Sequence, residues 1–387
     1  MDLDGQARAV MRGNDRGLYT VPTKGLYPYQ WNWDSAFAAL GFAEFDITRA
    51  WRELETLFAG QWDDGMVPHI IFHKPDPGYF PGPDVWQGRG PIPSSGVTQP
   101  PVAATMARKV FEKDPEFGRA QMRSLFPKML AWHRWFMAWR LDQGAVCITH
   151  PWESGRDNAT DWDGAMAALD PAGVADYTRR DLTHVDADMR PTKWDYDRYI
   201  WLVQMGRGTG WDHAKIMADK PFRVADPTMT FTLLRAQRDL AWMAKELDLY
   251  APEIDEWITK LEAGAETLWN PEAGHYDSRD VNSGEFAGSL SNASMLCWYA
   301  GLSNPKMDAP LEHMLGAARY GVPSYDPKGP IFDAKRYWRG PVWAIMNTMI
   351  GWGLADASHP AAEIVRKMTR DLISQFSFAE YYDPRDG

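Results

Sequence analysis

Apolar residues recur at intervals of three and four along most of the chain, which is the spacing of one face of an α-helix. Segment 227–250, for example, repeats Phe231, Leu234 and Leu240 with charged residues between them. Segment 252–269 begins with a proline, which favours the first turn of a helix, so the two segments are expected to form a helical hairpin. The same pattern predicts eleven helices in all, at 34–45, 48–60, 96–113, 115–143, 191–206, 227–250, 252–269, 286–300, 311–320, 340–355 and 360–376.

Strand-like alternation is scarce, and segment 144–149 is the best candidate for a strand. The predicted helices are joined by long loops rich in Gly, Pro and aromatic residues, such as 75–93 and 270–285, and loops of that length are usually functional. Neither a low-complexity linker nor a repeat of fixed period divides the chain, so we expect one domain over 1–387.

About a dozen helices in one domain predict an all-α fold, an (α/α)6 barrel in which six helical hairpins close into a ring. The active site of such a barrel is built by the loops at one end. The alternative is an open helical solenoid, which ought to show sequence repeats.

Aromatic side chains are unusually frequent and clustered. The chain has 20 Trp, and residues 337–343 read Tyr-Trp-Arg-Gly-Pro-Val-Trp. A pyranose can lie against such rings while ring N–H groups and an arginine bind its hydroxyls, so the segment predicts a sugar-binding wall. A second cluster runs from Tyr27 to Trp33 and is followed by Asp34. Aromatic residues at this spacing often belong to the core, and that interpretation stays open for the second cluster.

The overall charge disfavours two classes of partner. The chain has a formal net charge of −11 and a pI near 5.3. Proteins that bind nucleic acid or an anionic membrane surface need an excess of basic residues on one face, which this charge disfavours. Residues 1–15 contain no apolar run, so a cytoplasmic location is expected. Cys147 and Cys297 lie in apolar stretches, which favours two buried thiols, with one disulfide as the alternative.

Carboxylates lie among aromatic residues in two further segments, 151–158 and 378–384. Glycoside hydrolysis needs one carboxyl held protonated by apolar surroundings and a second held ionised. Asp157 and Glu380 are therefore candidates. Their alternative roles are a helix cap for Asp157 and an exposed terminal glutamate for Glu380.

The chain resembles glycoside hydrolase family 63, in particular its bacterial mannosylglycerate and glucosylglycerate hydrolases. The resemblance rests on Tyr-Gln-Trp-Asn-Trp-Asp-Ser at 29–35, Glu-Ser-Gly-Arg-Asp-Asn at 153–158, the block at 337–343 followed by Asn347, and Glu-Tyr-Tyr-Asp-Pro at 380–384. It extends over nearly the whole chain, and the block at 337–343 is its most specific part. The resemblance implies an (α/α)6 barrel and hydrolysis that inverts the anomeric centre.

By motif, the resemblance makes Asp157 the general acid and Glu380 the general base that activates water. Arg198 would hold a carboxylate of the aglycone through a two-pronged contact. The residues expected to bind the sugar are Tyr29, Gln30, Trp31, Trp33, Asp34, His69, Gln99, Tyr337, Trp338, Arg339 and Trp343.

Two departures from the family pattern stand out. Residues 159–163 read Ala-Thr-Asp-Trp-Asp where relatives often have Ser-Pro-Arg-Trp-Asp, which leaves the aglycone side undefined. Relatives continue past the position of Gly387 with a Gly-rich loop and another helix, so either this chain is a shortened piece or the catalytic domain 1–387 lacks the last helix of the ring. Segment 184–188 resembles a metal cluster but is interpreted as a solvated turn, and neither a metal nor a cofactor is expected.

The hypothesis is an inverting hydrolase of a small α-glucoside or α-mannoside, with glucosylglycerate and mannosylglycerate as candidate substrates and no nucleic-acid or membrane partner. One alternative is a sugar-binding protein without turnover. Another is an (α/α)6 sugar epimerase or isomerase, which is disfavoured because those barrels rely on histidine pairs. The oligomeric state is left open.

Overall fold

The computed structural model describes residues 2–183, 186–219 and 221–387, and this part of the chain is mostly helical. Its α-helices are α1 (Leu3–Asn14), α2 (Asn32–Ala43), α3 (Ile47–Ala59), α4 (Pro83–Trp86), α5 (Ala103–Lys113), α6 (Pro115–Trp139), α7 (Asp163–Ala167), α8 (Lys193–Gly208), α9 (His213–Asp219), α10 (Pro227–Glu246), α11 (Glu253–Glu266), α12 (Cys297–Ala300), α13 (Asp308–Ala317), α14 (Ala344–Asp356) and α15 (Ala361–Phe376). None of these helices is both long and apolar enough to cross a membrane.

The β-structure of the described residues consists of short pairings between loops. Its strands are β1 (Gln30–Trp31), β2 (Ile70–Ile71), β3 (Leu141–Asp142), β4 (Ala145–Ile148), β5 (Val224–Ala225), β6 (Trp269–Asn270), β7 (His275–Tyr276) and β8 (Arg279–Asp280). They form antiparallel sheets in the orders β1-β2, β3-β4-β5-β8 and β6-β7. The predicted strand at 144–149 is confirmed as β4, whose residues Cys147 and Ile148 pair with Ala225 and Val224.

Side-chain caps fix where several long helices begin. The carboxylates of Asp46, Asp114 and Asp226 accept backbone N–H groups in the first turns of α3, α6 and α10. Thr192 and Asp195 form a reciprocal capping box at the start of α8. Such caps satisfy donors that have no partner within the helix, and each is worth about 1 kcal/mol.

Consecutive helices pack as hairpins. Helices α2 and α3, α5 and α6, α10 and α11, and α14 and α15 are packed pairs. Helix α5 also contacts α2 and α10, and α12 contacts α10 and α14, so one helix of each hairpin lies next to a helix of the following hairpin. The core between them includes fully buried tryptophans, among them Trp51, Trp132 and Trp135, while Cys147 and Cys297 are buried thiols.

Of the eleven predicted helices, 96–113 is wrong at its start and 286–300 is wrong over most of its length. Segment 96–113 becomes helical only at Ala103, because Pro100 and Pro101 have no N–H to donate to a helical hydrogen bond. Segment 286–300 is helical only at its end, as a 3-10 turn over Ser294–Leu296 followed by α12. Its earlier serines bond instead to the buried acids Asp277 and Asp161, which are distant in the chain, so tertiary contacts replace the helix there. Helix α1 was not predicted, and the single domain over 1–387 stays a prediction.

Candidate active site

Loops from distant parts of the chain enclose one large cavity of about 810 Å³. Its walls come from the segment after α1, the first turn of α2, the loop 78–81, the turn 151–157, the loop before α8, the block 337–345 and residues 378–380. The lining combines aromatic rings with carboxylates and arginines. A pocket of this size and chemistry is typical of a small-molecule site.

A buried glutamate shapes the turn that carries Asp157. Glu153 is fully buried and accepts hydrogen bonds from Arg140 (3.1 Å) and from the backbone N–H of Thr149 (2.7 Å). Glu153, the other carboxylate of segment 151–158, holds the 3-10 turn Pro151–Ser154. Arg156, also fully buried, then ties the following residues to α10 through Asp226 (3.1 Å).

Hydrogen bonds to its backbone carbonyl hold Asp157 in position. Its carbonyl oxygen accepts hydrogen bonds from the Tyr199 hydroxyl (2.8 Å) and the Trp162 Nε1 (3.1 Å). Burial raises the pKa of the Asp157 carboxyl to about 7, with Arg190 opposing the shift and the charge of Glu380 adding to it. The carboxyl therefore keeps its proton up to about neutral pH.

Glu380 is surrounded by hydrogen-bond donors. Its Oε1 accepts from the Tyr337 hydroxyl (2.9 Å), and the Tyr27 hydroxyl also hydrogen-bonds the carboxylate. Its segment is fixed by the paired backbones of Tyr382 and Val342 (2.9 and 3.0 Å). Burial raises the pKa of Glu380, whereas Arg190 and the two tyrosines oppose that rise. Protein atoms crowd the carboxyl, yet the residue is exposed to the cavity. The tyrosine hydroxyls and Arg190 therefore favour the ionised form of Glu380 and oppose the larger effect of burial.

A third carboxyl, Asp34, lies in the first turn of α2. Burial raises its pKa to about 7, with the charge of Glu380 adding to the shift. Arg190 is a cation that acts on Asp157 and Glu380: it is 7% exposed and bonds the Tyr27 hydroxyl (3.2 Å) and Asp181 (3.3 Å). Like charges in one cleft disfavour simultaneous ionisation, so the acids are expected to share protons near neutral pH.

The aromatic wall has two layers. Trp343 lines the cavity, and Trp338 stacks behind it with ring centroids 3.7 Å apart and an angle of 7°. The Trp343 Nε1 is buried and has no partner within the described residues. A buried donor without a partner is costly to the stability of the fold.

His69 adds a neutral polar group to the wall. Its Nδ1 lies 2.7 Å from the Ser95 Oγ, and burial holds the pKa of its ring well below the usual value, with His150 adding to the shift. Gln99, also at the cavity, accepts a hydrogen bond from the Trp33 backbone N–H (3.2 Å).

The structure brings most of the predicted site residues together. Those that line the cavity are Trp31, Trp33, Asp34, His69, Gln99, Asp157, Tyr337, Trp343 and Glu380.

The other predicted contacts, Tyr29, Gln30, Arg198, Trp338 and Arg339, are not among the lining residues, because their side chains are engaged elsewhere. Gln30 bonds Glu53, Tyr29 bonds the Asp76 carbonyl, and Trp338 lies behind Trp343. Arg339 makes a two-pronged bond to Asp163 (2.9 and 2.6 Å). Arg198 donates to the Met166 carbonyl (2.8 Å) and stacks on Trp194.

Arg190 was missed by the sequence reasoning, as were Tyr79 and Tyr196, which also line the cavity. Loop length is the sequence feature that could have pointed to two of them. Tyr79 lies in the long loop 75–93, and Arg190 lies near the end of the long connection that precedes α8. In the segment 184–188, His184 and Val185 lie outside the described residues. No cluster of His, Cys, Asp and Glu that could hold a metal ion occurs in the part of the chain that the structure describes.

Comparison with known proteins places this geometry in context. The family model described as "Mannosylglycerate hydrolase MGH1-like glycoside hydrolase domain" matches residues 27–387. Mannosylglycerate hydrolase MGH2 of Selaginella moellendorffii is 44% identical over 98% of this chain and 80% of its own. Mannosylglycerate hydrolase of Thermus thermophilus is also 44% identical, over 99% of this chain and 95% of its own.

Solved structures agree with the sequence matches. The crystal structure of a GH63 mannosylglycerate hydrolase from Thermus thermophilus in complex with Tris superposes with a TM-score of 0.96, at 44% identity over 99% of this chain and 95% of that one. A second crystal structure of the Thermus protein, in complex with Tris and D-glycerate, gives 0.95. Neutral trehalase from Saccharomyces cerevisiae shares the fold at a TM-score of 0.59 and 16% identity.

Proposed function

Because this chain belongs to the family of MGH1-like glycoside hydrolases, we propose that it cleaves a glycerate α-glycoside, mannosylglycerate or glucosylglycerate, by inverting hydrolysis. The observation that carries the proposal is the contrast between Asp157 and Glu380 in one cavity. Asp157 has a pKa of about 7 set by burial, whereas Glu380 receives two tyrosine hydroxyls and faces Arg190. Carboxyls whose surroundings differ in this way are suited to act as acid and base.

In the proposed reaction, Asp157 is the general acid. Its proton passes to the glycosidic oxygen as the bond to the anomeric carbon breaks, so the aglycone leaves as an alcohol. Glu380 is the general base, which takes a proton from water as that water attacks the opposite face of the anomeric carbon. Inversion requires room for the water, so the two carboxyls are expected to lie about 6.5–9.5 Å apart.

The sugar would occupy the aromatic end of the cavity. Trp33 and Trp343 supply flat apolar surfaces. His69 and Gln99 are neutral polar groups, and Asp34 can accept hydrogen bonds when ionised. Such polar groups fix the orientation of a ligand that the rings hold by stacking.

Arg190 would bind the carboxylate of the glycerate aglycone. Its guanidinium is almost fully buried at the cavity, next to the proposed acid and base. Arginine matches the geometry of a carboxylate with two parallel N–H donors. The sequence assigned this role to Arg198, but the Arg198 guanidinium is bonded to Met166 and stacked on Trp194, away from the lining residues.

The helix packing supports the (α/α)6 barrel as part of the same proposal. The series α2, α5, α10, α12 and α14, in which each helix contacts the next, would form the inner ring, and α3, α6, α11 and α15 would lie outside it. The cavity lies among the loops that join these helices, as expected for a barrel with its site at one end. The cytoplasmic location expected from the sequence stays a prediction.

The test is a product assay by NMR with mannosylglycerate, glucosylglycerate and the corresponding methyl α-glycosides. We expect free sugar with the β-anomer formed first, and a loss of at least about 10³-fold in Asp157→Asn and Glu380→Gln, since each removes one proton transfer and its charge. Binding without released sugar would support a non-catalytic sugar-binding protein. Full activity in either variant would contradict the assigned roles.

A further inference from the structure

The segment that carries Asp157 contacts the segment that carries Asp34 at Gly155. Gly155 precedes Asp157 by two residues, Trp33 precedes Asp34 by one, and both Gly155 and Trp33 line the cavity. Gly155 ends the 3-10 turn Pro151–Ser154 in the left-handed region, with φ +69 and ψ −3. That conformation is the one in which glycine is favoured over residues with a side chain.

The contact leaves no space for a side chain. A Cβ atom built on Gly155 would lie 2.7 Å from the Trp33 Cζ2, 2.8 Å from the Cη2 and 3.0 Å from the Cε2. Ordinary carbon contacts are about 3.5–4.0 Å, so either the indole or the turn would have to move.

Neither group can move freely. The Trp33 ring packs edge-on against Phe37 (6.0 Å between centroids) and at a tilt against Trp338 (6.5 Å), and its backbone N–H is bonded to Gln99. The turn that carries Gly155 is held by Glu153, which accepts several hydrogen bonds. A displaced indole could move only toward the cavity, and a displaced turn would carry Asp157 with it.

From this geometry we infer that Gly155 is a positioning residue, whose missing side chain sets the spacing between the sugar-stacking Trp33 and the segment of the proposed acid Asp157. This role deepens the proposed function and rests on it. Gly155 acts through its neighbours and touches neither proton in the reaction. The alternative is that Gly155 is required only for its left-handed backbone conformation. In that case Gly155→Ala should have the same effect whichever residue occupies position 33.

The test is a double-mutant cycle between Gly155→Ala and Trp33→Phe. A phenyl ring ends short of the indole Cζ2 and Cη2 positions, so the tryptophan-to-phenylalanine change removes the atoms that the new Cβ would meet. We expect Gly155→Ala to lower kcat/KM at least about 10-fold with Trp33 present, and less than about 3-fold in the Trp33→Phe background, because only contacting residues couple.

Gly274→Ala is the matched control. Gly274 has a similar φ of +74, but a Cβ there would meet nothing within 4 Å, and the residue does not line the cavity. Its variant is expected to share the loss of thermal stability that a left-handed alanine causes, without the loss of activity.

The inference is overturned if Gly155→Ala lowers kcat/KM by the same factor in both backgrounds, or if its activity equals that of Gly274→Ala. The wild-type protein is measured first, so that failure of the proposed function is seen separately. If the wild type releases no sugar, the same cycle is run on the Kd of D-glucose and D-mannose by calorimetry. There the same coupling supports the inference and additive effects contradict it.

Discussion

At the scale of single residues, the charge of each cavity group depends on its neighbours. Asp157 and Asp34 share a pKa of about 7 because both are buried near Glu380. Glu380 differs because Tyr27 and Tyr337 hydrogen-bond it and favour its ionised form. The proposed division into acid and base rests on the donors around each carboxyl, which a residue type alone does not reveal.

Replacing Arg190 by lysine keeps the positive charge beside Asp157 and Glu380 but removes the two-pronged guanidinium. We expect kcat/KM for a glycerate glycoside to fall about 10- to 100-fold, the size of one lost charged hydrogen bond, with less than about 3-fold change for the methyl glycoside. Steady-state kinetics on both substrates provide the measurement. Arg198→Lys is the matched control, and an aglycone-specific loss there would favour the original sequence assignment.

At the scale of helices and loops, one residue can join the start of a helix to the active site. Asp226 caps α10 through the N–H groups of Thr228 and Met229, and the same carboxylate binds Arg156, next to Asp157. Asp114 caps α6 and, among the described residues, accepts only from the N–H of Phe117 in the first turn. The loop that presents Asp157 therefore depends on the position of α10.

This difference predicts unequal costs for two similar substitutions. Asp114→Ala should lower the free energy of unfolding by about 1 kcal/mol, the usual value of a cap. Asp226→Ala should lower it by about 3–5 kcal/mol, because it also removes one of the carboxylate partners of the buried Arg156. Urea unfolding followed by tryptophan fluorescence measures both, and equal losses would argue against a structural role for the Arg156 contact.

At the scale of the whole molecule, the buried carboxyls of the cavity lower the stability of the folded protein when they ionise. Burial holds the pKa values of Asp34 and Asp157 at about 7, well above the ordinary value of 3.8 for an aspartate. The folded protein therefore binds more protons than the unfolded chain between about pH 4 and 7. These groups contribute stability that is present at low pH and is lost as pH rises through the folded pKa values.

Asp34→Asn should restore part of the stability that the wild type loses as pH rises. Because asparagine cannot ionise, the Tm of the variant relative to that of the wild type should be higher at pH 8 than at pH 5, as measured by calorimetry. The exposed Asp4 provides a control, since Asp4→Asn should change Tm little and equally at both pH values. A larger benefit at pH 5 would show that the charge on Asp34 is favourable in the fold.

The sequence alone determined the helical character, the family motifs and nine of the residues that line the cavity. Helical periodicity is local, so segments such as 227–250 and 360–376 were predicted close to α10 and α15. The motifs also placed Asp157 and Glu380 among the candidates before any contact was known. Where bonds to distant acids or prolines replaced the helix, as in most of 286–300 and at the start of 96–113, periodicity was a poor guide.

Only the tertiary structure decided which arginine and which tryptophan face the cavity. Arg190 and Arg198 lie eight residues apart, and packing buries the first beside Glu380 and stacks the second on Trp194. Trp343 lines the cavity and Trp338 lies behind it. The space at Gly155 is likewise set by an indole more than a hundred residues away in the chain. Such contacts depend on how distant segments pack, which periodicity and motif spacing do not encode.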